Sequence, residues 1–199
     1  MQKFSRTISL PTWLQVAALD QVYVTLEERM RLAIELSRMN FESGTGGPFA
    51  GIVFERDTGR VVAAGVNVVV PESCSLAHGE VMALMFAQDA VSSFDLAAQG
   101  LPPMQLVTSA QPCVQCFGAV HWSGIVELVI GARGEDVERI TGFDEGPLPP
   151  DWVEQLENRQ PLPPCRVIRD VLADEACEVL QSYKDSGAPI YNPGSDAIA

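Results

Sequence analysis

Two short segments constrain this chain more than anything else in it: His78-Gly79-Glu80 and Pro112-Cys113-Val114-Gln115-Cys116, separated by what reads as one helix and one strand. Both are expected at helix N-termini. His78 to Val91 has strong helix formers and an apolar stripe of Val81, Leu84, Met85 and Ala90, and it follows the turn residues Pro71 to Ser75. Gln105 to Thr108 is a short strand. Pro112 is suited to open another helix running toward Trp122, because proline in the first turn sacrifices no helical hydrogen bond.

The remaining pattern extends this alternation. Leu26 to Phe41 places Leu26, Met30, Ala33, Ile34 and Phe41 near helical spacing, with Glu27, Glu28, Arg31 and Arg38 interleaved as a solvated face. Gly44 to Pro48 forbids regular structure. The apolar runs Phe49 to Glu55 and Arg60 to Val70, joined at Asp57-Thr58-Gly59, predict a hairpin. Glu127 to Gly131 reads as a strand. Gly142 to Pro164 reads as a long ordered loop with one helical turn at Asp151 to Leu156. Val167 to Ile168 is a last strand, Asp170 to Lys184 a last helix, and Gly187 to Ala199 a tail. Helices alternating with strands predict the α/β class, one sheet covered by helices on both faces. With 199 residues and no internal repeat, the expectation is one domain: an N-terminal extension over 1–25, a core over 26–184 and a tail over 185–199.

Composition narrows the surroundings. No stretch approaches the roughly 20 apolar residues that span a bilayer, and Pro11 interrupts the N-terminus where a signal peptide needs an apolar run. Five cysteines, only two of them closely spaced, do not make a secreted disulfide framework, so a reducing cytoplasm is expected. A net charge of −13 repels polyphosphate, which points away from nucleic acid and toward a small neutral substrate.

The chemistry sits in the two opening segments. A helix N-terminus favours thiolate, and one imidazole with two thiolates suits Zn²⁺. His78, Cys113 and Cys116 would supply three ligands and leave the fourth tetrahedral position open, the mark of a catalytic rather than a structural site. Glu80 follows His78 by two residues and would carry a proton rather than bind metal. Two other arrangements use the same residues. Cys74 could close a structural Cys₃His site, leaving Glu80 an ordinary carboxylate, or Cys113 and Cys116 could form a redox dithiol. Cys165 and Cys177 read as inert core thiols, and His121 as structural.

His-x-Glu followed by Pro-Cys-x-x-Cys is the signature of zinc nucleobase deaminases. Over Leu26 to Lys184 the sequence resembles the cytidine and deoxycytidylate deaminase superfamily, and its guanine deaminase branch in particular. Four further features carry the resemblance: Gly46-Gly47-Pro48-Phe49, Gly65-Val66-Asn67, Trp122 after the cysteine helix, and Gly142-Phe143-Asp144-Glu145. The resemblance implies a three-layer α/β/α sandwich with a mixed sheet of about five strands, one Zn²⁺ per chain, and a homodimer. It also implies that Asn67 hydrogen-bonds the base edge, that Phe49 and Trp122 shape the purine slot, and that the Gly79 amide faces the base carbonyl. A second catalytic acid is implied at Glu145, with Asp144 an alternative because the usual Phe-Asp-Asp is Phe-Asp-Glu here. Without the motif, Asn67 would simply cap a strand and the two aromatics would be core.

The implied reaction is hydrolytic deamination of a free base, guanine to xanthine and ammonia. Cytidine and an amino-oxo-triazine such as ammeline are the neighbouring substrates. A protein that uses zinc only to hold its fold is the alternative outside enzymes. Related guanine deaminases use a C-terminal tail to cover an active site, which gives Tyr191-Asn192-Pro193 an expected role.

Overall fold

The computed structural model describes residues 5–16, 19–192 and 194. Its first long helix, α1 (Leu26–Glu42), starts where Thr25 and Glu28 cap each other reciprocally: the Thr25 hydroxyl accepts from the Glu28 amide at 3.1 Å and the Glu28 carboxylate from the Thr25 amide at 2.9 Å. The hairpin follows as β1 (Ala50–Glu55) and β2 (Val61–Val66), then α2 (Gly79–Ala90), β3 (Met104–Ala110), α3 (Val114–Ser123) and β4 (Glu127–Ala132). Next come α4 (Gly134–Thr141), α5 (Trp152–Glu157), β5 (Arg166–Ile168) and α6 (Ala173–Asp185).

The five strands make one mixed sheet in the order β2-β1-β3-β4-β5. β1 is antiparallel to both β2 and β3, whereas β3, β4 and β5 are parallel. Alternation along the strands sends successive side chains to opposite layers. Ile52, Phe54, Val107 and Val129 pack with Met30 and Ile34 of α1, Val137 of α4 and Val179 of α6. Val53, Leu106, Leu128 and Ile130 pack with Ala83 and Leu84 of α2, Val120 of α3 and Leu156 of α5. The three-layer α/β/α sandwich is therefore as the sequence implied.

Several elements differ from the sequence reading. α4 lies in a stretch given no structure, although Glu135 and Asp136 in its first turn and the left-handed Gly142 at its end are helix boundary signals. α6 begins at Ala173 rather than Asp170, because Asp170 and Leu172 take φ of 67° and 52°, outside the helical region. Asp170 is instead held by Arg133, with both contacts at 2.7 Å. The second hairpin strand stops at Val66, and the helical turn expected at Asp151 forms one residue later as α5. The region assigned as an N-terminal extension is joined to the core: Leu14, in a 3₁₀ turn over Thr12–Val16, is buried, and the Trp13 indole donates to Thr45 at 3.1 Å.

The proline-rich 147–164 stretch is fastened by one cation. Arg159 is buried and donates to the carbonyls of Val120 (3.0 Å), His121 (2.9 Å) and Ile125, at and beyond the end of α3, and to Pro163 (2.6 Å). A guanidinium at a helix C-terminus satisfies orphan carbonyls and the helix dipole together.

Candidate active site

β2 and β3, both antiparallel to β1, end at the same end of the sheet, and α2 and α3 follow them. His78 is the N-cap of α2 and Cys113 the N-cap of α3, with neither side chain making a capping hydrogen bond. Pro112 thus lies just outside α3 rather than in its first turn. His78 Nδ1 is 3.5 Å from the sulfurs of both Cys113 and Cys116, and the three ligand atoms lie within 4.8 Å of one another. Zinc bonds of about 2.0–2.1 Å to nitrogen and about 2.3 Å to sulfur, at tetrahedral angles, set N···S at roughly 3.5 Å. The residues fit the ion.

The charges agree. Cys113 is pulled down to about 4, first by its hydrogen bond with Cys116, while the same bond and then burial hold Cys116 well above the ordinary thiol range. A cation between them is what allows both to ionise. Cys74 is not a member of this cluster among the described residues, which leaves three ligands as the open-site reading requires. The purified protein is therefore expected to hold about one zinc per chain. Elemental analysis should find it retained in Cys74→Ser and lost in Cys116→Ser; loss in Cys74→Ser would indicate a closed structural site.

A cavity of about 390 Å³ opens over the cluster, within the range of small-molecule sites. Its acidic side carries Glu80 and Glu145. Glu80 is 8% exposed, and its carboxyl is raised to about 7 by burial and then by the negative charge of Cys113. Glu145 is raised to about 9, again by burial first. Asp144, which is exposed, and Glu145 both line the cavity, and the Asp144 carboxylate also accepts from the Gly146 amide at 2.9 Å.

Asn67 also lines the cavity. It is 2% exposed, and its carbonyl approaches Gly46 so closely that a Cβ there would lie 1.8 Å away. Asn40 clamps this approach, donating at 2.8 Å to the carbonyls of both Gly47 and Asn67. The Gly46-Gly47-Pro48 signal thus reads as a seat for Asn67. Phe49 and Phe143 meet edge to face at 5.3 Å and give the cavity apolar walls.

One expected contributor lies elsewhere in this chain. Trp122 is 75% exposed near the far end of α3, about eight residues along the helix from the cavity, so its own fold does not bring it to the slot. Gly79 is buried at the start of α2, and a methyl there would sit 3.0 Å from the Phe49 carbonyl and 3.1 Å from the Ala50 Cα.

The C-terminal tail supplies what the sequence only hinted at, although residues 193 and 195–199 lie outside the described residues. Asn192 is held by both ends of its amide, donating to the Gly142 carbonyl at 2.9 Å and accepting from the Asp144 amide at 3.0 Å. This lays Tyr191 against Phe143, with ring centroids 4.8 Å apart, and both tail residues line the cavity. A Cβ at Gly47 would lie 2.3 Å from the Tyr191 hydroxyl, so glycine makes room for the phenol.

Residues 24–132 match the family described as the cytidine and deoxycytidylate deaminase zinc-binding region. Guanine deaminase from Nitrosomonas europaea is 47% identical in sequence and similar in structure, with a TM-score of 0.86 over 93% of this chain and 99% of that one. An asparagine-to-alanine variant in complex with 8-azaguanine is 48% identical, with a TM-score of 0.86 over 92% of this chain and 98% of that one. Guanine deaminase of Bacillus subtilis is 29% identical over 119 residues, 60% of this chain and 71% of the relative. Family match and zinc-ligand geometry agree, and the chain belongs to the cytidine and deoxycytidylate deaminase zinc-binding family.

Proposed function

We propose that this protein is a zinc aminohydrolase that converts guanine to xanthine and ammonia. The observation that carries the reading is one cavity in which an open His78, Cys113 and Cys116 cluster lies beside two carboxyl groups, the buried Glu80 and the half-buried Glu145. A merely structural zinc site has no use for the second feature. The resemblance in both sequence and structure to guanine deaminases supports the choice of base.

His78, Cys113 and Cys116 hold the metal. When bound there, zinc supplies acidification of water, lowering its pKa to about 7. Glu80, whose own pKa is about 7, takes up a proton and returns it to a ring nitrogen and then to the departing amine, the poise that general acid–base catalysis requires. Glu145 accepts from N1–H and the 2-amino group of the base; two donors arriving at a buried carboxyl favour its charged form. Asn67 serves the opposite edge, and Phe49 and Phe143 confine the ring plane. The catalytic unit spans 26–184, the N-terminal segment braces it, and the tail from 185 closes the cavity. Among the described residues no helix is long and apolar enough to cross a membrane, and a cytoplasmic location agrees with the cysteine pattern.

The direct test is ammonia release from a panel of free bases, nucleosides and aminotriazines. Guanine is expected to lead the panel, and ammeline or cytidine leading it would reassign the substrate. The tail makes its own prediction. Because Tyr191 and Asn192 line the cavity and Tyr191 packs against the margin of the core without being one of its buried members, truncation after Ile190 should lower kcat/KM for guanine by on the order of tenfold or more with a smaller effect on Tm. Unchanged kinetics would remove the tail from the site.

A further inference from the structure

Residues 5–16 precede the stretch that matches the family, 24–132, and none of them lines the cavity. Their hydrogen bonds nevertheless converge on the two loops that flank Asn67. The segment is anchored at Leu14, which is buried in its 3₁₀ turn. On the loop that follows Asn67, the Ser9 amide donates to the Glu72 carboxylate at 3.2 Å and Arg6 donates to the Glu72 carbonyl. Val69 and Ser75 of that loop line the cavity. On the glycine-rich loop that precedes β1, the Trp13 indole donates to the Thr45 hydroxyl at 3.1 Å.

The Trp13 contact starts a chain of bonds whose direction is fixed. An indole N–H can only donate, so the Thr45 hydroxyl accepts there and has one proton to pass on. The Asn40 side-chain oxygen lies 2.9 Å from that hydroxyl and the Asn40 carbonyl 3.0 Å, but the carbonyl already accepts from the Thr45 amide at 2.9 Å. The proton therefore serves the side chain. With its oxygen end so fixed, Asn40 turns both amide protons the other way, to the carbonyls of Gly47 and Asn67, each at 2.8 Å. Asn40 is 0% exposed in the last turn of α1. A buried acceptor that loses its partner there has no bulk water to replace it.

Asn67 is the end of this chain of bonds. Its carbonyl is held by Asn40, its amide donates to the Phe49 carbonyl at 2.9 Å, and its side-chain oxygen accepts from the Val69 amide at 3.2 Å. The side-chain NH2 group is then the donor it has to offer a base. A binding group of this kind must be held to within roughly 0.5 Å by what lies behind it. We infer that Trp13, Thr45 and Asn40 are positioning residues for substrate recognition, through which the N-terminal segment sets where Asn67 stands in the cavity. The inference rests on reading that cavity as the guanine site with Asn67 as one of its contacts. It gives residues 5–16 a part in binding the base from outside the cavity.

The Val69 amide reports on this arrangement without any substrate, because its acceptor is the Asn67 side chain. In NMR hydrogen exchange on the zinc-loaded protein, Thr45→Val should speed exchange at Val69 by on the order of tenfold, close to the effect of Asn67→Ala, which removes the acceptor. Thr45→Ser keeps the hydroxyl and should restore protection. Exchange at Leu106 and Val107 in β3 should stay as in the wild type. Trp13→Phe keeps an aromatic body and loses the donor, so it should move Val69 the same way by a smaller factor, and it carries the test if Thr45→Val fails to fold. Unchanged exchange at Val69 would overturn the inference, and so would an equal rise at Leu106, the mark of general loosening. This arm needs no turnover, so failure of the guanine reading is told apart from failure of the relay. In guanine kinetics, Thr45→Val should raise KM by on the order of tenfold with kcat within about twofold, because Asn67 holds the base while Glu80 moves the proton. A loss confined to kcat would contradict a positioning role.

Discussion

Glu80→Gln is expected to lower kcat for guanine by on the order of 10²-fold or more while leaving the zinc content and the fold intact. The amide matches the carboxylate in size but cannot take up and return a proton. Glu80 is held at the start of α2, two residues after a metal ligand, in a buried position that raises its carboxyl to about 7. That poise serves proton transfer in both directions near neutral pH. The checks are steady-state turnover, elemental analysis and thermal melting on the same preparation. Turnover close to wild type would remove Glu80 from the mechanism. Loss of zinc would make it a ligand and would favour a structural role for the whole cluster.

How much of this was legible from the sequence depends on how local each signal is. The metal ligands and Glu80 follow from two short motifs, because an N-cap and the first turn behind it fix where those side chains begin. The hairpin and the long helices follow from periodicity. Asn67 is named by the resemblance, but its setting was not readable: the Asn40 clamp and the close approach at Gly46 join segments 27 and 21 residues distant. α4 was missed because an eight-residue helix opening on glycine has little propensity of its own and is held by packing Val137 into the core. The late start of α6 is set by the Arg133–Asp170 pair, a contact between segments remote in sequence. Arg159 carried no signal, since a buried arginine paired only with carbonyls looks in sequence like any surface cation. Trp122 shows the opposite case, where the resemblance named a residue whose place in a single chain lies away from the cavity.

The other large effect concerns the choice between bases. A buried site built to hydrogen-bond particular donors rejects an analogue lacking them by on the order of 10⁴-fold, because the unmatched group is left desolvated and unpaired. Glu145 is such a group: it is half-buried, its carboxyl is raised to about 9, and it lines the same cavity as Asn67. Guanine presents N1–H and the 2-amino group side by side. Adenine has an acceptor at N1 and no 2-amino group, and in cytidine the ring atoms beside the amino-bearing carbon are N3, an acceptor, and C5–H, so neither presents two adjacent N–H donors. Glu145→Gln keeps the shape but turns a donor toward donors, so guanine turnover should fall steeply with zinc content unchanged.

The central claim is therefore tested most directly by kcat/KM for guanine and cytidine, measured side by side on zinc-loaded wild-type protein. The account predicts a preference for guanine on the order of 10⁴-fold, with xanthine and ammonia formed in equal amounts. A preference for cytidine would contradict it, leaving the zinc site in place but assigning its pocket to a different base.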